Sequence, residues 1–152
     1  MQCMVREDFL KKAEALKPRL VQKVRYPKHI VKVQKDDQGK GCVIEQENTE
    51  ALRRITMGKG ETICLDFENH YVGYLTLHIS TVGSPPDAPL FMKLKFGENA
   101  TEITDRAEDY NGWISRSWIQ EEYIHVDVFP AVLMLPRRYA MRFLEITVLD
   151  TS

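Results

Sequence analysis

The chain has no apolar run approaching the roughly 18 residues that a membrane-spanning helix requires. Its first residues, MQCMVREDFLKKAEALK, also lack the apolar segment of a secretory leader. Both absences argue against a membrane or exported protein. We therefore expect a cytoplasmic location and no membrane partner.

Cysteine is scarce: Cys3, Cys42 and Cys64 are an odd number, far apart, with no Cys-x-x-Cys pair. This excludes the disulfide framework of a small secreted domain, and it offers no zinc-ligand spacing. A reducing cytoplasm fits three unpaired thiols best. Cys64 lies in an alternating apolar segment, which favours a small semi-buried hydrophobic residue over a reactive thiol.

The common catalytic and cofactor motifs are missing too. The chain has no Gly-x-Gly-x-x-Gly, Gly-Lys-Ser/Thr or Gly-x-Ser-x-Gly sequence, and Gly58-Lys59-Gly60 is typical of a hairpin turn. The four histidines show no His-x-His or His-x-x-x-His spacing. With a net charge of -1, the small cluster Pro136-Arg137-Arg138-Tyr139 is too weak to attract nucleic acid. We predict no cofactor, no metal, no catalytic residue and no nucleic-acid partner.

What the sequence does contain is the composition of one globular domain. Its 152 residues are 43% hydrophobic and 28% charged, which is enough to form a hydrophobic core without disulfide bonds or a structural metal ion. Helical spacing predicts a short amphipathic helix from Arg6 to Lys17, stopped by Pro18. We therefore divide the chain into residues 1–20, a helix and lead-in packed on a sandwich, and residues 21–152, the sandwich itself.

From Tyr26 onward the apolar period changes from helical to two, which indicates strands. Clear runs occur at residues 61–67, 71–79, 89–96, 123–129 and 139–149, and weaker runs at 29–34 and 41–46. In the fourth run Val128 is expected to face inward and Phe129 outward. In the last run the apolar phase slips at Phe143-Leu144, which predicts a β-bulge or burial on both faces.

Strands with one apolar face each, joined by long connections such as 99–111, favour an all-β antiparallel sandwich. The fold class that we predict is jelly-roll-like, with one short N-terminal helix. Between the first two clear runs, Phe67 is expected to end one strand. The chain then reverses through Glu68, Asn69 and His70, and the next strand starts near Tyr71.

Aromatic side chains are concentrated in residues 109–129, DYNGWISRSWIQEEYIHVDVF. An aromatic plane beside fixed polar groups suits a pyranose, which has an apolar C–H face and a ring of hydroxyls. The alternative is that these aromatics plug the sandwich or pack on another surface. The candidate carbohydrate-binding or interface residues are Trp113, Trp118, Tyr110, Glu121, Glu122 and Tyr123, with Glu68, Asn69, His70 and Tyr71 as a possible rim.

Four short motifs, in order, carry a family resemblance. They are Asp66-Phe67, Val72-Gly73-Tyr74-Leu75, Phe96-Gly97-Glu98 and Arg142-Phe143-Leu144-Glu145-Ile146. Over residues 20 to 150 the chain resembles the N-terminal β-sandwich module of α-L-rhamnosidase-type glycoside hydrolases. The family often has glycine after Asp-Phe, where this chain has Glu68. That glutamate must adopt the tight conformation that glycine allows, or the turn differs.

The resemblance implies a non-catalytic accessory domain of an α-L-rhamnosidase, because the family's acid and base lie on a separate α/α barrel. No catalytic residue carries over, and this chain alone is expected not to hydrolyse glycosides. Its partner would be that barrel or a rhamnose-containing carbohydrate. Two alternatives stay open: a free-standing carbohydrate-binding module that uses its tryptophans, and a homo-oligomeric interaction protein.

Overall fold

Eight strands and two short helices make up the regular structure of the described residues. The computed structural model describes residues 6–19, 21–53, 55–84 and 87–151. The helices are α1 (Glu7–Ala15) and α2 (Ala100–Thr104), and 3-10 turns occupy Thr49–Arg53, Ala107–Asp109 and Arg116–Trp118. The strands are β1 (His29–Lys35), β2 (Gly41–Asn48), β3 (Thr62–Gly73), β4 (Thr76–Ile79), β5 (Leu90–Gly97), β6 (Glu121–Val126), β7 (Ala131–Met134) and β8 (Tyr139–Asp150).

The strands form two antiparallel sheets of unequal size. Six strands lie in the order β2-β1-β3-β8-β5-β6, and β4 pairs with β7 alone. The predicted all-β antiparallel sandwich is confirmed, with the eight strands divided six and two. No helix in the part of the chain that the structure describes is both long and apolar enough to cross a membrane.

The main core lies between the two sheets and follows the predicted alternation. Leu94 in β5, Leu144 in β8 and Tyr139 at the start of β8 are its most buried side chains. The Tyr139 ring stacks on Phe96 with centroids 4.0 Å apart. Leu75, Leu77 and Ile79 contribute from the side of β4, as their spacing predicted. Burial of such side chains supplies most of the favourable free energy of folding.

A second, smaller apolar cluster covers the other face of the large sheet. Val31, Cys64 and Phe143 pack there against Ile103 of α2. Gly41 is needed at this contact, because a Cβ at that position would overlap the Ala100 backbone carbonyl. Burial, with the neighbouring charges of Glu145 and Asp66, raises the pKa of the Cys64 thiol to about 12. The thiol is therefore protonated at neutral pH and unreactive.

The slip predicted in β8 is present. Met141 and Leu144 both belong to the main core, whereas Phe143 is buried in the second cluster. The pairing with β3 is shifted at this point, between Asp66 and Tyr71 on β3. Burial on both faces therefore explains the slip, and the extra residues of the irregular ladder belong to β3, opposite Arg142 of β8.

The prediction that the chain reverses after Phe67 is wrong. Strand β3 continues without a turn from Thr62 to Gly73, and the residues after Asp66 bulge out of the ladder opposite Arg142. Glu68 has a φ of 70°, so it adopts the left-handed conformation that the expected glycine would allow. Its backbone N–H donates to the Asp66 carboxylate at 2.6 Å. A bulge lets one strand keep both neighbours while absorbing extra residues.

Two smaller expectations also differ from the structure. Helix α1 forms, but none of its residues is buried, and Phe9 and Leu10 are exposed instead of packing on the sandwich. The boundary placed between residues 20 and 21 stays a prediction. Strand β6 ends at Val126, so the alternation does not continue: Val128 is exposed and Phe129 packs against the core.

Replacing Glu68 with glycine is expected to leave the free energy of unfolding unchanged or to raise it by up to about 1 kcal/mol. Glycine removes the cost of left-handed backbone, although it also adds freedom to the unfolded chain. The His29–Glu68 ion pair, at 3.9 Å and largely exposed, is a minor loss. Thermal and urea unfolding measure the change. Asn69→Gly is the matched control and should destabilise, and a marked loss of stability in Glu68→Gly would contradict the strain argument.

Candidate functional site

The segment between α2 and β6 is anchored at both ends by buried or half-buried polar contacts. At its start, Lys95 Nζ donates to the Ile103 carbonyl at 3.0 Å and to the Asp105 carbonyl. At its end, the Gln120 side chain forms two hydrogen bonds with the Ala140 backbone, at 2.9 and 3.0 Å. These contacts hold an otherwise irregular stretch against the large sheet, because unpaired buried polar groups would be costly.

A capped helix, α2, directly precedes this segment. The Asn99 side chain accepts from Glu102 N at 3.1 Å, and the Glu102 carboxylate accepts from the Asn99 side chain and from Glu98 N. This pairing resembles a capping box, except that Glu102 accepts from the backbone N–H of Glu98 instead of that of the N-cap residue Asn99. Helix α2 is therefore specified locally although it has only five residues.

The anchored segment forms one wall of a cleft of about 250 Å³. Its lining residues are Lys35, Phe96, Glu102, Asp105, Arg106, Asp109, Tyr110, Trp118, Ile119 and Gln120. The cleft combines three aromatic residues, one further apolar residue and five charged groups, and the Phe96 ring among them is buried in the main core. Such a mixture is typical of small-molecule sites, in which a few polar groups fix a ligand on an apolar surface.

The rings of Tyr110 and Trp118 meet edge to face. Tyr110 and Trp118 have centroids 5.8 Å apart and an interplanar angle of 69°. Trp118 is 45% exposed, so part of its indole is open to solvent. A Cβ at Gly112 would overlap the Tyr110 ring. Glycine at position 112 therefore lets the backbone fold back over that ring.

Four of the five charged groups of the cleft form two ion pairs, and the fifth, Glu102, accepts hydrogen bonds from Glu98 N and the Asn99 side chain. Lys35 Nζ lies 2.9 Å from the Asp105 carboxylate. Arg106 Nε lies 3.4 Å from Glu108 and 4.0 Å from Asp109. Because the lining has two cations and three carboxylates, the cleft presents no strong field of one sign.

Two of the six predicted site residues, Tyr110 and Trp118, come together in this cleft. Trp113 lies outside the lining and is 96% exposed. Tyr123 is exposed on β6, where its ring lies 6.3 Å from that of Phe91. The aromatic window therefore contained both Tyr110 and Trp118, and their role in binding stays a prediction.

The two adjacent glutamates of β6 face opposite sides of the sheet and cannot share a site. Glu121 lies 3.6 Å from Lys95 Nζ. Glu122 accepts from Tyr139 Oη at 2.7 Å and from Arg137 at 2.8 and 3.0 Å. Burial tends to raise the pKa of Glu122, but these hydrogen bonds outweigh it and the pKa is lowered. Both glutamates have structural partners.

The predicted rim lies along the bulge of β3. His70 Nε2 is 3.6 Å from the Glu98 carboxylate, and the Arg25 guanidinium lies 6.0 Å above the Tyr71 ring. These residues, with Glu68 and Asn69, are outside the cleft lining. In the described part of the chain, no three His, Cys, Asp or Glu residues are grouped to hold a metal ion.

Sequence reasoning missed the other residues of the cleft. Lys35 and Asp105 are 70 positions apart, and only the placement of α2 beside β1 brings them together. The Asn99–Glu102 capping pair is the sequence signal from which this wall of the cleft could have been predicted. It predicts a helix directly before Asp105 and Asp109.

The comparisons with known proteins agree on one family. The model of the glycosyl hydrolase family 78 alpha-rhamnosidase N-terminal domain matches residues 27–152. A solved structure, a rhamnosidase from Klebsiella oxytoca with rhamnose bound, superposes with a TM-score of 0.84 at 37% identity. The alignment covers 96% of this chain but 29% of that rhamnosidase. A comparison with curated proteins found no match.

Proposed function

This chain belongs to the family of glycosyl hydrolase family 78 α-rhamnosidase N-terminal domains, and from that membership we propose that it is a non-catalytic accessory domain of an α-L-rhamnosidase. The observation that carries the proposal is the coverage. Nearly all of this chain corresponds to less than a third of the similar rhamnosidase. The reaction would then depend on the remaining part of such an enzyme.

The chemistry of the carboxylates supports this role. A glycosidase of the common type needs two carboxyl groups facing the sugar, one of which has a raised pKa and acts as the acid. In the cleft, Asp105 and Asp109 are paired with cations. Burial raises the pKa of Glu145, partly opposed by Lys93 and Lys95, but Glu145 is not part of the cleft lining. The described residues therefore do not combine an acid and a second carboxylate around the cleft.

We propose the catalytic part of the parent enzyme as the partner, packed against the loop that carries Trp113. An indole that is 96% exposed beside Ile114, also exposed, is typical of a surface that another protein surface covers. We also propose a cytoplasmic location, which the free thiols of Cys42 and Cys64 support.

An assay of the purified 152-residue chain on an aryl α-L-rhamnoside tests the accessory role. The expected result is no turnover above a blank without protein. The rhamnosidase from Klebsiella oxytoca, assayed in parallel, serves as the positive control. Turnover that co-elutes with the 152-residue chain would show that the chain is itself an enzyme, and the proposal would fail.

Sedimentation at several concentrations distinguishes the proposed partner from a second copy of this chain. We expect a monomer throughout, in the Trp113→Ser variant as well as in the parent chain. A concentration-dependent dimer in the parent that is lost in Trp113→Ser would favour the homo-oligomeric alternative.

A further inference from the structure

The cleft beside Trp118 has features of a binding site that go beyond a packing role. Its indole is partly open, and Tyr110 meets it edge-on at 5.8 Å, which fixes the ring orientation. Ile119 adds apolar surface to the lining, whereas Phe96, which the cleft also touches, is 2% exposed and keeps its ring in the main core. A ring that is held from one side and open on the other can stack on the apolar face of a ligand.

The polar groups of the cleft select for a neutral ligand with hydroxyl groups. An ammonium group has three donors, and the ion pair with Asp105 uses one donor of Lys35. Asp105 and Asp109 each offer further lone pairs as acceptors. Because these opposite charges are already paired, a charged ligand would gain little. A hydroxyl group can donate to the carboxylates and accept from the ammonium group.

The cleft is also preorganised. Buried Lys95 fixes the backbone at Asp105, and Gln120 fixes the segment that follows Trp118. Gly112 allows the Tyr110 ring to sit under its own loop. A site whose walls are already fixed loses less conformational entropy when a ligand binds.

We propose that this cleft binds one neutral pyranose ring, which stacks on Trp118 while its hydroxyl groups bond to Lys35, Asp105 and Asp109. The shape and polarity of the lining support a single sugar ring, and a volume of about 250 Å³ is small for a longer saccharide. The proposal is independent of the accessory role, since a non-catalytic domain can pack on its enzyme with or without a bound sugar.

The two tryptophans of the chain allow a selective test by fluorescence. In Trp113→Phe, Trp118 is the one remaining indole, and in Trp118→Phe the fully exposed Trp113 is the reporter. Titration of Trp113→Phe with L-rhamnose should give a saturable change with a Kd on the order of 1 mM, as expected for a single small ring. Trp118→Phe should show no saturable change, and glycerol should have no effect on either variant.

A second measurement removes the dependence on a fluorescent reporter. By calorimetry or ligand-observed NMR, Lys35→Met should weaken L-rhamnose binding about tenfold, as expected from the loss of a hydrogen bond to a charged group. Lys32→Met is the control, because Lys32 lies on the same strand and pairs with Glu45 at 3.3 Å, outside the lining. Circular dichroism checks that each variant is folded.

Methyl α-L-rhamnoside distinguishes two sources of the same ring. Binding as tight as that of L-rhamnose indicates a sugar residue within a glycoside, whereas binding of the free sugar alone indicates a released monosaccharide; both support the cleft. No saturable change in Trp113→Phe, or equal changes in both single-tryptophan variants, would overturn the proposal. Neither failure affects the accessory role, which fails through turnover in the rhamnoside assay.

Discussion

Replacing Lys95 with methionine is expected to lower the free energy of unfolding by about 3 kcal/mol, because it breaks a buried ion pair from one side. Lys95 is 4% exposed, and its ammonium group lies 3.6 Å from the Glu121 carboxylate. The same group donates to the carbonyls of Ile103 and Asp105. Methionine keeps the apolar stem but leaves these three acceptors without a donor.

Urea unfolding of Lys95→Met, Glu121→Gln, the double variant and a control would separate the charge from the packing. The loss in Lys95→Met should be smaller when Glu121→Gln is also present, because the amide removes the buried charge that methionine leaves unpaired. Lys32→Met, at an exposed pair, is the matched control and should change stability by less than about 1 kcal/mol. Equal losses in the two backgrounds would mean that the ion pair contributes nothing and that Lys95 acts through its carbonyl partners alone.

Lys95 also shows where sequence reasoning about this fold stops. Alternation along β5 correctly separated Lys93 and Lys95 from the inward-facing Leu94 and Phe96. It could not show that α2 and the following segment would cover Lys95 on the outer face. That cover depends on the Asn99–Glu102 capping pair and on the contact of α2 with Gly41, which lies far away in sequence.

The turn predicted at Glu68 failed for a related reason. A polar stretch between two apolar runs is typical of a chain reversal, yet the register of β8 lets β3 pass straight through. The observation that the family often has glycine at the position of Glu68 was more informative. It correctly indicated an unusual backbone conformation there. The local apolar pattern predicts which face of the sheet each side chain lies on. Whether the chain turns depends on the hydrogen-bonded pairing with a strand that is distant in sequence.

The sequence also predicted the candidate site only in part. The aromatic window contained Tyr110 and Trp118, because aromatic density is a local property of the sequence. It also contained Glu121 and Glu122, whose partners Lys95, Arg137 and Tyr139 lie on other strands. Only the sheet register reveals that these carboxylates are already bound and unavailable to a ligand.

Asp66→Asn is expected to lower the free energy of unfolding by about 2 kcal/mol at pH 7, through the loss of charge-assisted hydrogen bonds. Asp66 is 3% exposed, and Arg142 donates to its two carboxylate oxygens at 2.8 and 2.9 Å. The Glu68 backbone N–H donates to the same carboxylate and so ties the β3 bulge to β8. The amide of asparagine keeps the shape but has one acceptor oxygen in place of two.

At acidic pH the difference in unfolding free energy between Asp66→Asn and the parent chain should disappear. The direction of this change follows from the lowered pKa of Asp66. Burial tends to raise the pKa of Asp66, but the hydrogen bonds from Arg142 and Glu68 and the charge of Arg142 lower it overall. The unfolded chain, with a carboxyl pKa of about 3.9, then binds the proton more readily than the folded chain does. The contribution of Asp66 is therefore complete above about pH 4 and is lost as the pH falls through the folded pKa.

Urea unfolding of both proteins at pH 7 and at two or three acidic values measures this loss. Glu145 has a raised pKa, so it changes stability in the opposite direction as it titrates. Glu145 is present in both proteins. Subtracting the unfolding free energy of Asp66→Asn from that of the parent therefore removes the contribution of Glu145 and leaves that of Asp66. Asp150→Asn, at an exposed pair with Lys59, is the control and should show a much smaller change. A difference that stays constant from pH 7 to the most acidic value would show that the Asp66 charge does not hold the bulge to β8.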